Sequence, residues 1–216
     1  DGNFAIRMGS QNKIDEMDIV AKVSNGSVLL AGREAPVLMP AANLQAQLTN
    51  SYTLSGGVTA DFGPSGKISL LAKSSINNAN AIETSQMDIN SDDFDAALFT
   101  ALWPTNVATA NQRWFRQHMP SGRLRDARLS MRTRYEVDFG RHKLQDINGN
   151  WRLHESTLGW SDHLPPFTNL HADLTLNNSE FVANITTANF GGMSVQHGNV
   201  TVSPIVGDAK QKAALS

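Results

Sequence analysis

The residues able to act as catalysts or ligands are scattered along this chain rather than clustered. The six histidines, His118, His142, His154, His163, His171 and His197, form no HxH, HExxH or HxxxH pair. Such spacings are what bring two imidazoles to one side of a metal ion. Cysteine is absent, which excludes disulfides, thiolate zinc sites and cysteine nucleophiles. His154, Glu155 and Ser156 are consecutive, and on a strand consecutive side chains leave opposite faces, so they do not converge on one atom. The Gly-x-Ser-x-Gly elbow that lifts a nucleophilic serine is missing as well. Asp92, Asp93 and Asp95 lack the glycine and distal glutamate of a calcium loop, and read as a solvated turn or a helix start. Gly56-Gly57 and Gly191-Gly192 precede no helical pattern, so no helix N-terminus is at hand for a phosphate. The chain carries no legible reaction centre, and neither a metal nor another cofactor is expected.

Two other groups of residues are chemically distinctive. Arg123, Arg125, Arg128, Arg132 and Arg134 form a basic row, with Arg113 and Arg116 before it and Asp126, Glu136 and Asp138 alongside. A solvated strand face is the plain reading, and contact with anionic headgroups is the alternative. Net charge is −2 with a pI near 6.3, so no electrostatic footprint for nucleic acid is present. The second group is aromatic. Trp103, Trp114 and Phe115 lie in LWPTNVATANQRWFRQHMPSG, residues 102–122. Val107, Ala110, Trp114 and Phe115 recur at helical spacing, Thr105 or Asn106 can cap the start, and Pro120 with Gly122 ends it. A helix of about three turns, roughly 18 Å, is expected near 106–119.

The elements that must hold these residues are mostly strands. Turn-forming pairs recur at Asn25-Gly26, Ser55-Gly56-Gly57, Gly63-Pro64-Ser65-Gly66, Asn148-Gly149-Asn150, Asn177-Asn178, Gly191-Gly192 and Gly198-Asn199. Runs rich in Val, Ile, Leu, Thr and Phe lie between them, a pattern of antiparallel hairpins. In ARLSMRTRYEVDF, residues 127–139, the residues Ala127, Leu129, Met131, Thr133, Tyr135, Val137 and Phe139 share one face. The intervening positions are charged or polar. Fully extended, that run spans about 40 Å, and a bulge or break is expected within it. Further strands are expected at 150–158, 170–176, 180–187 and 199–202. PAANLQAQLT at 40–49 and PFTNLHADLT at 166–175 share Pro-x-x-Asn-Leu-x-Ala-x-Leu-Thr, which points to two copies of one β unit. The expected organisation is a first β unit at 1–101, a helical insert at 102–122 and a second β unit at 123–216.

A sheet with one apolar face must cover it. A single short helix cannot cover two such units. A second sheet, closure into a barrel, or an apolar ligand remain as coverings, and strand alternation is the same for all three.

Trp103-Pro104, Arg113-Trp114, Gly122 and Ala127-x-Leu129 occur in an order that resembles the signature of the AsmA-like, YhdP-type proteins of the bacterial envelope. The Leu164-Pro165-Pro166 turn, the Asn169-Leu170 strand, Gly191-Gly192 and Gly198-Asn199-Val200 continue the likeness, which covers residues 102–202. Residues 1–101 match in texture alone. The resemblance implies a mainly β fold: a long curled antiparallel sheet forming an open groove (a β-taco or incomplete barrel) with one short α-helix. It further implies one fragment of a periplasmic protein of Gram-negative bacteria, anchored in the inner membrane by a segment outside this chain. Its groove would carry phospholipid acyl chains between inner and outer membrane, beside envelope components of both. On that reading Leu129, Met131, Tyr135, Val137, Phe139, Leu170, Leu174 and Leu176 line the groove, while Trp103, Trp114 and Phe115 form a helical plug. The alternative is a closed β-sandwich that binds or assembles envelope partners without conducting lipid. No enzymatic reaction is expected under either.

Overall fold

The computed structural model describes residues 2–8, 14–29, 36–49, 52–76, 82–102, 116–136, 141–159, 164–178, 180–203 and 212–215. Twelve strands form one antiparallel sheet in chain order. They are β1 (Gly2–Met8), β2 (Ile14–Val28), β3 (Val37–Thr49), β4 (Thr53–Asp61), β5 (Lys67–Ile76) and β6 (Ile82–Asp95), followed by β7 (Ser121–Glu136), β8 (Arg141–Leu158), β9 (Phe167–Leu176), β10 (Phe181–Phe190), β11 (Met193–Ser203) and β12 (Lys212–Leu215). Each strand pairs with the next, and among the described residues β1 and β12 do not pair with each other. The sheet is open. Neither a second sheet nor barrel closure covers its apolar face among the described residues. The expected mainly β, open and curled architecture is the one observed.

Helix α1 (Ala96–Leu102) leaves the end of β6. Asp95 caps it by accepting a hydrogen bond from the Leu98 amide at 2.7 Å, which satisfies one of the free donors of the first turn. Of the three aspartates only Asp95 starts the helix, while Asp92 and Asp93 lie within β6. Of the helix expected near 106–119, the described part is 116–119, of which 116–118 is helical and Met119 is not. Trp103, Trp114 and Phe115 lie outside the described residues, as do Val137 and Phe139.

Three of the expected turns are turns: Gly63–Ser65 as a short 3-10 turn, Asn177-Asn178, and Gly191-Gly192 between β10 and β11. The other four lie inside β2, β4, β8 and β11. The reason is packing across the sheet. A Cβ on Gly149 would sit 2.9 Å from Leu129 Cδ1 and 3.1 Å from Trp151, so glycine there makes room for large neighbours on the same face. Strands accordingly run longer than turn counting implied; β7 has 16 residues and β8 has 18.

The expected irregularity in β7 is present. Asp126 is left-handed at φ 50°, beside the register shift between Arg125 and Arg128. Glu155 in β8 and Asn169 in β9 have φ of 49° and 48°. Bulges of this kind bend a strand and increase its twist. All three lie toward the α1 end of their strands.

Burial divides into two clusters. Ala60, Phe62, Phe94 and Leu98 pack with Met39, Ala42 and Ile68 at the ends of β3–β6. Leu124, Leu153, Leu170, Ala172, Leu174, Ala183 and Ile185 pack with Ala96 and Met119 across β7–β10. Phe99 of α1 packs against both. Strands on both sides of the helix therefore turn their apolar face toward it, and α1 closes one end of that face.

Candidate functional site

The register assembles the site. Ala21 pairs with Leu44, Leu44 with Val58, Val58 with Leu70, Leu70 with Ile89 and Ile89 with Leu129. The row continues from Leu129 through Gly149, Leu176 and Phe181 to Val202. It crosses β2 to β11 without a polar side chain. A second row runs Ile19, Ala46, Gly56, Ala72, Met87, Met131, Ile147. The row on the other face, next to the first, runs Lys22, Asn43, Thr59, Ser69, Asn90, Arg128, Asn150, Thr175, Val182, Thr201. One residue of phase separates these faces, as pleated geometry requires.

The apolar face is unevenly covered. Near α1 and across β9–β10 it is sealed, with Leu170 at 1% and Leu174 at 3% exposure. Over β2–β4 it is open: Val23, Leu44 and Val58 are 42%, 39% and 36% exposed, and their neighbours Ala46, Leu48 and Leu54 are only half-buried. Exposed apolar patches of this kind are common at binding surfaces.

The residues expected to line a groove separate along this gradient. Leu129 and Leu176 share the ten-strand row, with Gly149 between them, and both are half-buried. Met131, in the second row, is 5% exposed. Leu170 and Leu174 belong to the closed cluster beside Ala96. Tyr135 is half-buried near the far end of β7, opposite His142 in register. The open stretch of β2–β4 was not picked out from the sequence. The signal was available in MDIVAKV, residues 17–23, where Met17, Ile19, Ala21 and Val23 alternate with Asp18, Val20 and Lys22. Phe94, Leu98 and Phe99 were also overlooked, although FDAALFTAL after two aspartates is a capped apolar helix.

On the polar face, Arg123 Nε lies 2.7 Å from Asp93 Oδ1 and Arg128 Nη2 lies 3.2 Å from Asp92 Oδ1. Arg152 pairs with Asp126. An open depression of about 390 Å³ is lined there by Asp88, Asn90, Arg128, Ser130, Asn148 and Asn150, among others. His154 and His171 meet edge to face at 4.5 Å, and His154 Nδ1 is buried without a hydrogen-bond partner. Among the described residues, no group of three or more His, Asp or Glu side chains is placed to hold a metal ion. No helix among them is long and apolar enough to cross a membrane.

Comparison with known proteins finds no matching family model, no matching curated protein and no matching solved structure.

Proposed function

We propose that this chain is a segment of a lipid-transport protein of the bacterial envelope, and that its apolar face carries phospholipid acyl chains. The observation that supports this reading is the apolar row from Ala21 to Val202, open to solvent over β2–β4 with no second sheet across it among the described residues. Burying a methylene group on such a surface contributes about 0.8 kcal/mol, so an acyl chain gains binding energy in proportion to its contact length. Aliphatic side chains repeated from strand to strand offer sites of similar energy. A chain can slide along these without crossing a large barrier, and movement needs no covalent chemistry. Headgroups stay in water at the rim. The resemblance over residues 102–202 adds the setting: a periplasmic position, an inner-membrane anchor outside this chain, and delivery toward the outer membrane.

Purification from bacteria under gentle conditions, followed by solvent extraction and mass spectrometry, tests the reading. Phospholipid is expected at a defined ratio to protein. A lipid-free preparation whose apolar face stays dry and folded would leave a binding or assembly module in its place.

A further inference from the structure

We infer that the corner of the sheet formed by residues 164–167 and the β10–β11 turn seats in the interface of a phospholipid bilayer. The sequence sets this corner apart. Charged residues make up 18% of the chain, yet there is no Asp, Glu, Lys or Arg from Leu164 to Ala172 or from Phe181 to Gly207. The β10–β11 hairpin therefore carries none of these charges on either face.

The tip is compact. Phe190 pairs with Met193 across a two-residue turn, Gly191 and Gly192, whose φ values are 56° and 84°. Positive φ at both central positions is what a type I′ turn requires, and such a turn closes the hairpin with few free backbone groups. A Cβ on Gly191 would lie 3.4 Å from Pro165 Cγ, so the segment before β9 rests against this turn. Leu158, Phe167, Phe190 and Met193 follow one another in register, and the Phe167 and Phe190 rings stack with centroids 4.7 Å apart. Phe167 packs against the buried cluster of β7–β10. At the outer end of this apolar row Met193 is 62% exposed and Leu164 51%, with Pro165 and Pro166 exposed beside Leu164. Thr168, Asn169, Asn189 and Ser194 are exposed around them.

The absence of charge selects the occupant. Protein partners are steered and held in register by complementary charges, and this corner offers none. A bilayer interface accepts aliphatic and aromatic side chains, and charge is what it penalises most. Hydroxyls and amides beside the apolar tip can hydrogen-bond in the ester and headgroup layer. An uncharged corner with exposed Leu164 and Met193 matches that layered medium. The inference does not depend on the groove, since a chain without one could still seat this corner on a membrane.

Flotation of the purified chain with phosphatidylcholine vesicles tests this. The chain is expected to float, and to do so equally at about 1 M salt, where the screening length is about 3 Å. Leu164→Asp/Met193→Asp is expected to bind about tenfold more weakly or worse. Leu71→Asp, a change at a side chain 56% exposed in mid-strand, floats like the unaltered chain. The chain has no cysteine, so Met193→Cys takes a single environment-sensitive fluorophore. Its emission is expected to shift to the blue on addition of vesicles, and the same label at Leu71→Cys is expected not to shift. These labelled chains decide the matter even where the double variant folds poorly. No flotation, an unaffected double variant, an equal loss in Leu71→Asp, or no shift at the Met193 label would each overturn the inference. A dimer seen by light scattering and dissolved by the double variant, in a chain that does not float, would give the corner to a second copy instead. Flotation reads the corner and lipid extraction reads the groove, so the failure of one is distinct from the failure of the other.

Discussion

Phe62 and Phe94 meet edge to face, their ring centroids 5.8 Å apart and their planes at 79°. Phe62 follows the last residue of β4 and Phe94 precedes the last residue of β6, so this contact ties two strand ends separated by β5. Leu98 of α1 completes the cluster. Phe94 is fully buried, and Phe94→Ala is expected to cost about 3–5 kcal/mol. Urea unfolding followed by circular dichroism reads the loss. A cost below about 1 kcal/mol would show that the helix end of the sheet does not depend on this cluster.

The cap of α1 is a smaller and more local contribution. Replacing Asp95 with Ala removes the acceptor for the Leu98 amide and should cost about 1 kcal/mol. Asp95→Asn keeps an acceptor and should recover most of that. A thermal melt of both variants separates a cap from a general charge effect, because the two changes remove the same charge.

Gly122 has φ of +127°, and a Cβ built on it would overlap Ser156, which is fully buried on the neighbouring strand. Gly122→Ala therefore meets both backbone strain and a clash, with an expected loss of about 2 kcal/mol or more. Ser156→Gly in the same chain should remove the overlap with the Ser156 side chain, leaving the close approach to its Cα and the strain, and so recover part of the loss. A double-mutant cycle that showed no coupling would mean that β7 and β8 are farther apart here than the structure places them.

Acid should weaken the β4–β5 connection. Asp61 accepts the Gly63 amide at 2.8 Å and pairs with Lys67 at 3.0 Å, and these hold its pKa below the ordinary 3.8, the amide being the larger cause. A lowered folded-state pKa stabilises the fold above the ordinary value, and that contribution fades as pH falls through the folded one. Melting temperatures of the unaltered chain and Asp61→Asn should differ at neutral pH and converge on acidification between about pH 5 and pH 2. A difference that grew on acidification would reverse the assigned sign.

Leu44 and Val58 are paired in register and exposed on the open part of the apolar face. Leu44→Asp/Val58→Asp places two carboxylates where acyl chains are proposed to lie. Co-purified lipid should fall several-fold while the circular dichroism spectrum and melting temperature stay close to those of the unaltered chain, since neither side chain is buried. Unchanged lipid content would remove β2–β4 from the groove.

Much of this architecture can be read from local pattern, because period-2 alternation is a property of the strand alone. The alternation in residues 127–139 is a case: Leu129 and Met131 face one way, Arg128 and Arg132 the other, as in β7. The repeated pattern at 40–49 and 166–175 falls on β3 and β9, the third and ninth of twelve strands, with Leu44 and Leu174 both on the apolar face. The glycine pairs misled where close packing, rather than a turn, required a missing side chain. Gly149 beneath Leu129 and Trp151 is indistinguishable in sequence from a hairpin glycine.

Alternation thus settles that each strand has an apolar and a polar side. Which apolar residues become core and which stay open is a different matter. Leu170 and Leu44 occupy equivalent places in the repeated pattern, yet one is 1% exposed and the other 39%. The difference arises from partners distant in sequence: Leu170 is buried in one cluster with Leu124, Leu153 and Ala96 of α1. The ion pairs of the arginine row have the same origin, since Asp92 and Asp93 reach Arg128 and Arg123 only through the register of β6 on β7. Pairing between strands decides both, and a strand's own sequence carries its faces but not its neighbours.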